Sequence, residues 1–205
     1  MLYPRITNLQ GNDTLVEDTQ CVGYKEHMAD QYRILFLSGT ITGEMENHNL
    51  IMTLDTISHD PIKLIITSQG GDLDSTFLFI DTMKLIQSPM ITIGRYCASA
   101  ACLILASGKE RYLFPHAKTM LHLATGQMGG DYKDFAIQHK LMVSYQNKIV
   151  DILTEAGVKK SRDEILTDID RDFWLDPEEA IDYGLADKVL KSEMWQKWIG
   201  ESNGT

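Results

Sequence analysis

The chain has 205 residues, 43% hydrophobic and 23% charged, enough for one domain with its own core and no stapling disulfide or metal. A formal net charge of −10 and the lack of any Lys/Arg run leave no face to neutralise phosphates, which excludes nucleic acid and disfavours anionic membranes. The three cysteines, Cys21, Cys97 and Cys102, form no C-x-x-C pair, so neither a disulfide framework nor a zinc site is expected, and reduced thiols suit the cytoplasm.

The opening residues lack a basic stretch followed by an apolar one, so no signal peptide is expected, and no apolar run approaches the ~18 residues of a membrane span. Residues 1–30 are polar, with a turn at Gly11-Asn12-Asp13, and read as a mobile arm entering a short helix near Val22–Gln31. Ile34–Leu37 is a buried strand ending at Ser38-Gly39. Glu44–Ser58 has helical spacing of Met45, Leu50, Ile51, Leu54 and Ile57, and Asp60-Pro61 breaks it. Lys63–Thr67 is a second strand, closed by Ser68-Gln69-Gly70-Gly71, and a helix follows over Asp74–Gln87. Met90–Gly94 is a third strand, and Ser99–Ser107, small and apolar throughout, is a buried helix. Arg111–Phe114 and Thr119–His122 are two short strands, Gly126–Gly130 is a glycine-rich flexible segment, and Asp131–Gly157 is a long helix. Asp163–Thr167 is a short helix. Asp176-Pro177-Glu178-Glu179 opens another with an Asp cap and Pro in the first turn, and Gly184 ends it. Lys188–Leu190 is a last strand, and the weakly patterned tail from Ser192 is expected to fray. Strands alternating with helices predict an α/β domain with a largely parallel sheet, whose ligands bind at the carboxyl ends of the strands.

Three features fall at those ends. Ser99 follows a strand and opens a helix, where unpaired N–H groups and the helix dipole suit a nucleophile whose attack creates an oxyanion, but also suit a plain N-cap serine. Gly70-Gly71 lets backbone N–H groups approach a ligand, and is equally an ordinary strand-to-helix turn. His122 ends a strand as a general base would, or as a satisfied edge histidine. The carboxylate that would orient it must come from Asp168, Asp170 or Asp172. Asp172, directly before Phe173-Trp174-Leu175, is the one expected to be drawn inward, and a solvated turn suits the other two. The flanking Cys97 and Cys102 read as small core residues, and the remaining histidines show no metal-ligand spacing. The residues alone thus indicate an α/β domain with a possible Ser/His/Asp hydrolase site.

The order of these pieces resembles the Clp proteolytic subunit family from Leu2 to Leu190. Leu2-Tyr3-Pro4, Arg33–Gly39, Ser68-Gln-Gly-Gly71, Ala98-Ser-Ala100, Phe114-Pro115 with Met120-Leu-His122, Asp170-Arg-Asp172 and Glu179–Leu190 each look like that family's successive segments. The resemblance implies a crotonase-like α/β fold with a protruding handle helix. It also implies a Ser99–His122–Asp172 triad, oxyanion donors at the backbone of Gly71 and Ala100, substrate contacts at Gly70, Thr125 and Gly126, and no cofactor or metal. It divides the chain into an axial-pore arm (1–20), a peptidase domain (21–191, handle about 123–157) and a tail (192–205). As partners it implies two stacked heptameric rings of this chain, alone or mixed with a paralogue, an AAA+ Clp unfoldase and unfolded polypeptide substrates in the cytoplasm.

The chain departs from the family pattern near the cleft. Gln69 stands for Pro, Arg95-Tyr96-Cys97 for Gly-Gln-Ala, and Leu123-Ala124 for Gln-Pro. Two rival readings share much of this sequence: a non-catalytic paralogue filling ring positions, and a crotonase-type acyl-CoA enzyme. A Ser-Lys signal-peptide peptidase would predict a membrane anchor that these residues lack.

Overall fold

A computed structural model describes residues 19–43 and 47–200. The expected arm lies almost wholly outside them. The elements run α1 (Thr19–Tyr32), β1 (Ile34–Ile41), α2 (Asn47–Ile57), β2 (Ile62–Gly71), α3 (Leu73–Leu85), β3 (Met90–Ala98), α4 (Ala100–Ala106), β4 (Glu110–Leu121), α5 (Tyr132–Glu155), α6 (Arg162–Asp168), β5 (Phe173–Leu175), α7 (Pro177–Tyr183), β6 (Lys188–Val189) and α8 (Ser192–Gly200). β1, β2, β3 and β4 pair in sequence order and in parallel. The far edge of β4 is shared: β6 runs parallel beside its start, and β5 runs antiparallel beside its end. The sheet is therefore largely parallel with helices between its strands, as expected. No described helix is long and apolar enough to cross a membrane.

Burial changes along the strands. The first halves are buried on both faces, as in Ile34-Leu35 of β1, Leu64-Ile65-Ile66 of β2 and Met90 to Gly94 of β3. One face packs on α2, α3, α4 and the end of α5 through Leu35, Leu64, Phe79 and Leu103. The other packs on α1 and α8 through Ile34, Ile65, Ile93, Tyr112 and Trp198. Past Ile66, burial in β2 alternates: Ser68 and Gly70 face inward, and Thr67, Gln69 and Gly71 are exposed. A continuous apolar run marks a strand covered on both faces, and alternation marks one covered on a single face.

Two expectations need correction. Within the tail expected to fray, Ser192–Gly200 forms the helix α8, which buries Trp198, its ring meeting Tyr112 edge-on at 5.3 Å. The strands expected at Arg111–Phe114 and Thr119–His122 are one, because β4 runs through Pro115 where its pairing with β3 skips from Leu113 to Lys118, and it ends at Leu121 with His122 just past it.

The starts of the strands are tied by Arg33. Its buried guanidinium donates to the carbonyls of Leu54, Ser58 and Asp60 and to the Ser88 hydroxyl. Asp55 accepts from the backbone of Gln87 and Ser88 and from the Ser88 hydroxyl. Burial works against the Asp55 carboxylate, but the hydrogen bonds from Ser88, Gln87 and His59 outweigh it and hold its pKa down at about 2.

Candidate active site

The turn from β3 into α4 carries Ser99 with φ 57° and ψ −127°, a backbone conformation that a residue with a Cβ rarely adopts. Its side chain makes no capping hydrogen bond, so the plain N-cap reading fails and the hydroxyl stays available. Its N–H is held by the Met120 carbonyl at 2.7 Å. Ala100 is the first residue of α4, where a helix leaves N–H groups without an intrahelical acceptor. Behind the turn, the Cys102 thiol donates to the carbonyls of Cys97 and Met120. Burial pushes the Cys102 pKa up to about 12 and raises that of Cys97 as well. The two cysteines are braces in the core rather than nucleophiles.

The glycine turn fits against this serine. A Cβ on Gly70 (φ +93°) would stand 2.7 Å from the Ala98 carbonyl oxygen and 2.9 Å from the Ser99 Cβ. One on Gly71 would stand 2.2 Å from the Ile41 carbonyl oxygen. Only glycine permits this approach. Asp72 caps the following helix α3, and hydrogen bonds from the hydroxyl and N–H of Ser75 lower its pKa.

Gly71, Ser99, Ala100, His122 and Thr125 line a single cleft, with Leu73, Leu103 and Ile149 among its apolar walls. The cleft thus brings together most of the site residues expected from the sequence. Gly70 lies beneath the serine turn. Gly126 packs on α5, where an added Cβ would stand 2.8 Å from Met142 Cε. The apolar wall residues were not foreseen, because in the sequence they are ordinary core positions of helices.

Asp172 lies outside the cleft lining and is exposed, contrary to the expectation that it is drawn inward. β5 accounts for this. Leu121 pairs with Phe173, and Met120 with Trp174, so the next pair in register is His122 with Asp172. Phe173 is half-buried and Leu175 buried, whereas Trp174 is exposed. Alternation then puts Asp172 on the open face, the one His122 shares. The competing acids also divide differently. Asp168 is half-buried and accepts from the Tyr183 hydroxyl at 3.1 Å, so it is a structural acceptor and not part of a solvated turn. Asp170 is exposed beside Arg171, as expected.

Past His122 the chain leaves the sheet as a strip that is half-buried at Leu123 and Ala124 and exposed from Thr125 onward. The Leu123 N–H donates to the Ile169 carbonyl, and the Ala124 N–H to Gln146 on α5. α5 has 24 residues, about 36 Å of helix, and buries only Ile149, Val150 and Leu153. Tyr132, Phe135, Ile137, Leu141 and Val143 on its first half are exposed, Tyr132 by 86%.

A family profile described as Clp protease matches residues 18–193. The ATP-dependent Clp protease proteolytic subunit 1 of Rhodopirellula baltica is 34% identical over 164 residues, 77% of this chain and 72% of that protein. Subunit 2 of Pseudomonas aeruginosa is 32% identical over 166 residues, 78% of this chain and 82% of that protein. The chloroplastic subunit 4 of Arabidopsis thaliana is 32% identical over 167 residues, 78% of this chain and 57% of that protein.

Proposed function

This chain belongs to the Clp protease family, and from that premise we propose that it is a serine endopeptidase subunit of a self-compartmentalised barrel. The observation that carries the reading is the positive-φ, uncapped Ser99 in one cleft with His122, Gly71 and Ala100. In the proposed reaction the Ser99 hydroxyl attacks a peptide carbonyl as His122 takes its proton. The backbone N–H groups of Gly71 and Ala100 stabilise the oxyanion, and His122 returns the proton to the leaving amine. Water then releases the acyl-enzyme by the same route. Asp172 orients the imidazole from the neighbouring position across β4 and β5. The reaction draws on no metal or cofactor. Gly70, Thr125 and Gly126 border the extended substrate, which adds as a strand.

The exposed apolar residues of α5 support its role as the handle through which two heptameric rings stack. An AAA+ Clp unfoldase feeds chains to the chamber, and the cytoplasm is the proposed compartment. The test pairs native mass spectrometry with turnover of an unfolded protein. A ring assembly that degrades it, and loses that activity on Ser99→Ala without losing its mass, supports the proposal. An intact assembly with no turnover, with or without added unfoldase, refutes it in favour of a non-catalytic ring subunit.

A further inference from the structure

The strip that leaves His122 is laid along one face of α5. Met142, Gln146 and Ile149 follow each other at i, i+4 and i+7, the spacing of a single helix face. Each meets a successive part of the site: Met142 lies against Gly126, Gln146 accepts the Ala124 N–H at 2.8 Å, and Ile149 lines the cleft. One turn earlier, Gln138 continues the row. Its amide takes both polar groups of Gly129, accepting its N–H and donating to its carbonyl. Gln146 differs from Gln138 in one respect: its Nε2 is buried with no hydrogen-bond partner. A buried amide donor without an acceptor costs free energy, and an apolar side chain of the same length would avoid that cost.

The neighbouring residue reaches the opposite wall. The Tyr145 hydroxyl donates to Asp74 Oδ2 at 2.7 Å. Asp74 stands in the first turn of α3, directly after the Gly70-Gly71-Asp72 turn. The hydrogen bond to Asp74, helped by burial, pushes the Tyr145 pKa up to about 12, so the donor keeps its proton throughout the neutral range. Two adjacent residues of one helix thus hold both sides of the cleft: the glycine turn through α3, and the strip after the histidine through Ala124.

We propose that Gln146 is a positioning residue for the reaction, and that with Tyr145 it forms a clip setting the gap between the Gly71 turn and the Leu123–Thr125 strip, and so the placement of His122 against Ser99. The inference rests on the reading of this cleft as the peptidase site. Gln146 acts through Ala124 and does not touch the reacting atoms. Its unpartnered Nε2 is the stability cost of keeping an acceptor at that point.

The test compares Gln146→Met, Gln146→Glu and Tyr145→Phe in the assembled full chain, reading peptide kcat and KM, the rate at which a fluorophosphonate labels Ser99, and Tm. Gln146→Met lowers kcat and the labelling rate about tenfold, with KM within about twofold and Tm unchanged or raised. Gln146→Glu keeps an oxygen facing the Ala124 N–H and stays within about threefold of wild type. Tyr145→Phe keeps its ring against Phe77 and lowers kcat about fivefold. Unchanged kcat and labelling in Gln146→Met, or a loss in proportion to a fall in Tm that Gln146→Glu fails to rescue, overturns the proposal. Absence of label from the wild type would instead sink the peptidase reading, so the two failures are told apart.

Discussion

Where the strands begin, both faces of the sheet are covered and the polar groups present are engaged in holding segments together. Arg33 alone donates to three backbone carbonyls and a hydroxyl. Where the strands end, one face is bare, the backbone is bent at Gly70, Gly71 and Ser99, and the Ser99 side chain caps nothing. Side-chain hydrogen bonds therefore tie segments together where stability is made, with the Arg33 Nε alone among that side chain's nitrogens left unpartnered, whereas the Ser99 hydroxyl stands free where chemistry is proposed. The contrast follows from parallel topology: every β-to-α turn on one edge of the sheet converges there, while the helices bury the rest.

If that contrast holds, substitutions at the two ends should separate activity from stability. The largest effect is expected for Ser99→Ala, which lowers peptidase kcat/KM at least about 10⁴-fold and leaves Tm within about 2 °C. Asp172→Asn is expected to lower kcat by roughly 10³-fold or more, whereas Asp170→Asn changes it less than about twofold. Equal effects of the two would break the assignment drawn from the β4–β5 register. Gly70→Ala should do both kinds of damage. Its Cβ meets the Ala98 oxygen and the Ser99 Cβ, so activity falls about a hundredfold, and the strained backbone costs about 1–3 kcal/mol in denaturant unfolding. Arg33→Met reverses the pattern: unfolding free energy falls by about 3 kcal/mol, while kcat per folded molecule is unchanged.

The smallest effect is a pH window. Asp55 titrates near 2 when folded, against an ordinary value of 3.8. The folded state therefore binds fewer protons between those values, and the stabilisation is fully present above about pH 4 and lost as pH falls toward 2. A plot of Tm against pH should show wild type and Asp55→Asn separated by a constant gap above about pH 4 that closes below it.

Much of this division was legible in the sequence. Apolar runs at Ile34–Leu37, Leu64–Ile66 and Met90–Ile93, the last interrupted only by the buried Thr92, marked the doubly covered halves of the strands. Asp176-Pro177 opened α7 with the Asp176–Glu179 capping box, and Gly184 closed it in the left-handed conformation. The misses depend on tertiary partners. β5 is three residues long and exists because β4 pairs with it, so neither it nor the outward aim of Asp172 could be read locally. Pro115 suggested a break that the offset between β3 and β4 absorbs. α8 did leave a signal, since Met194, Trp195, Trp198 and Ile199 share one helix face, but it is short and set among polar residues. Gln146 left none: a glutamine in a helix acquires its role only when Ala124 is laid against it.

The central claim, that the cleft holds an activated serine, is tested most directly by exposing the assembled wild-type protein to a fluorophosphonate probe and mapping the adduct by mass spectrometry. Stoichiometric label on Ser99, abolished by His122→Ala, is the predicted result. An assembled protein that takes no label, or takes it on a residue other than Ser99, would contradict the account.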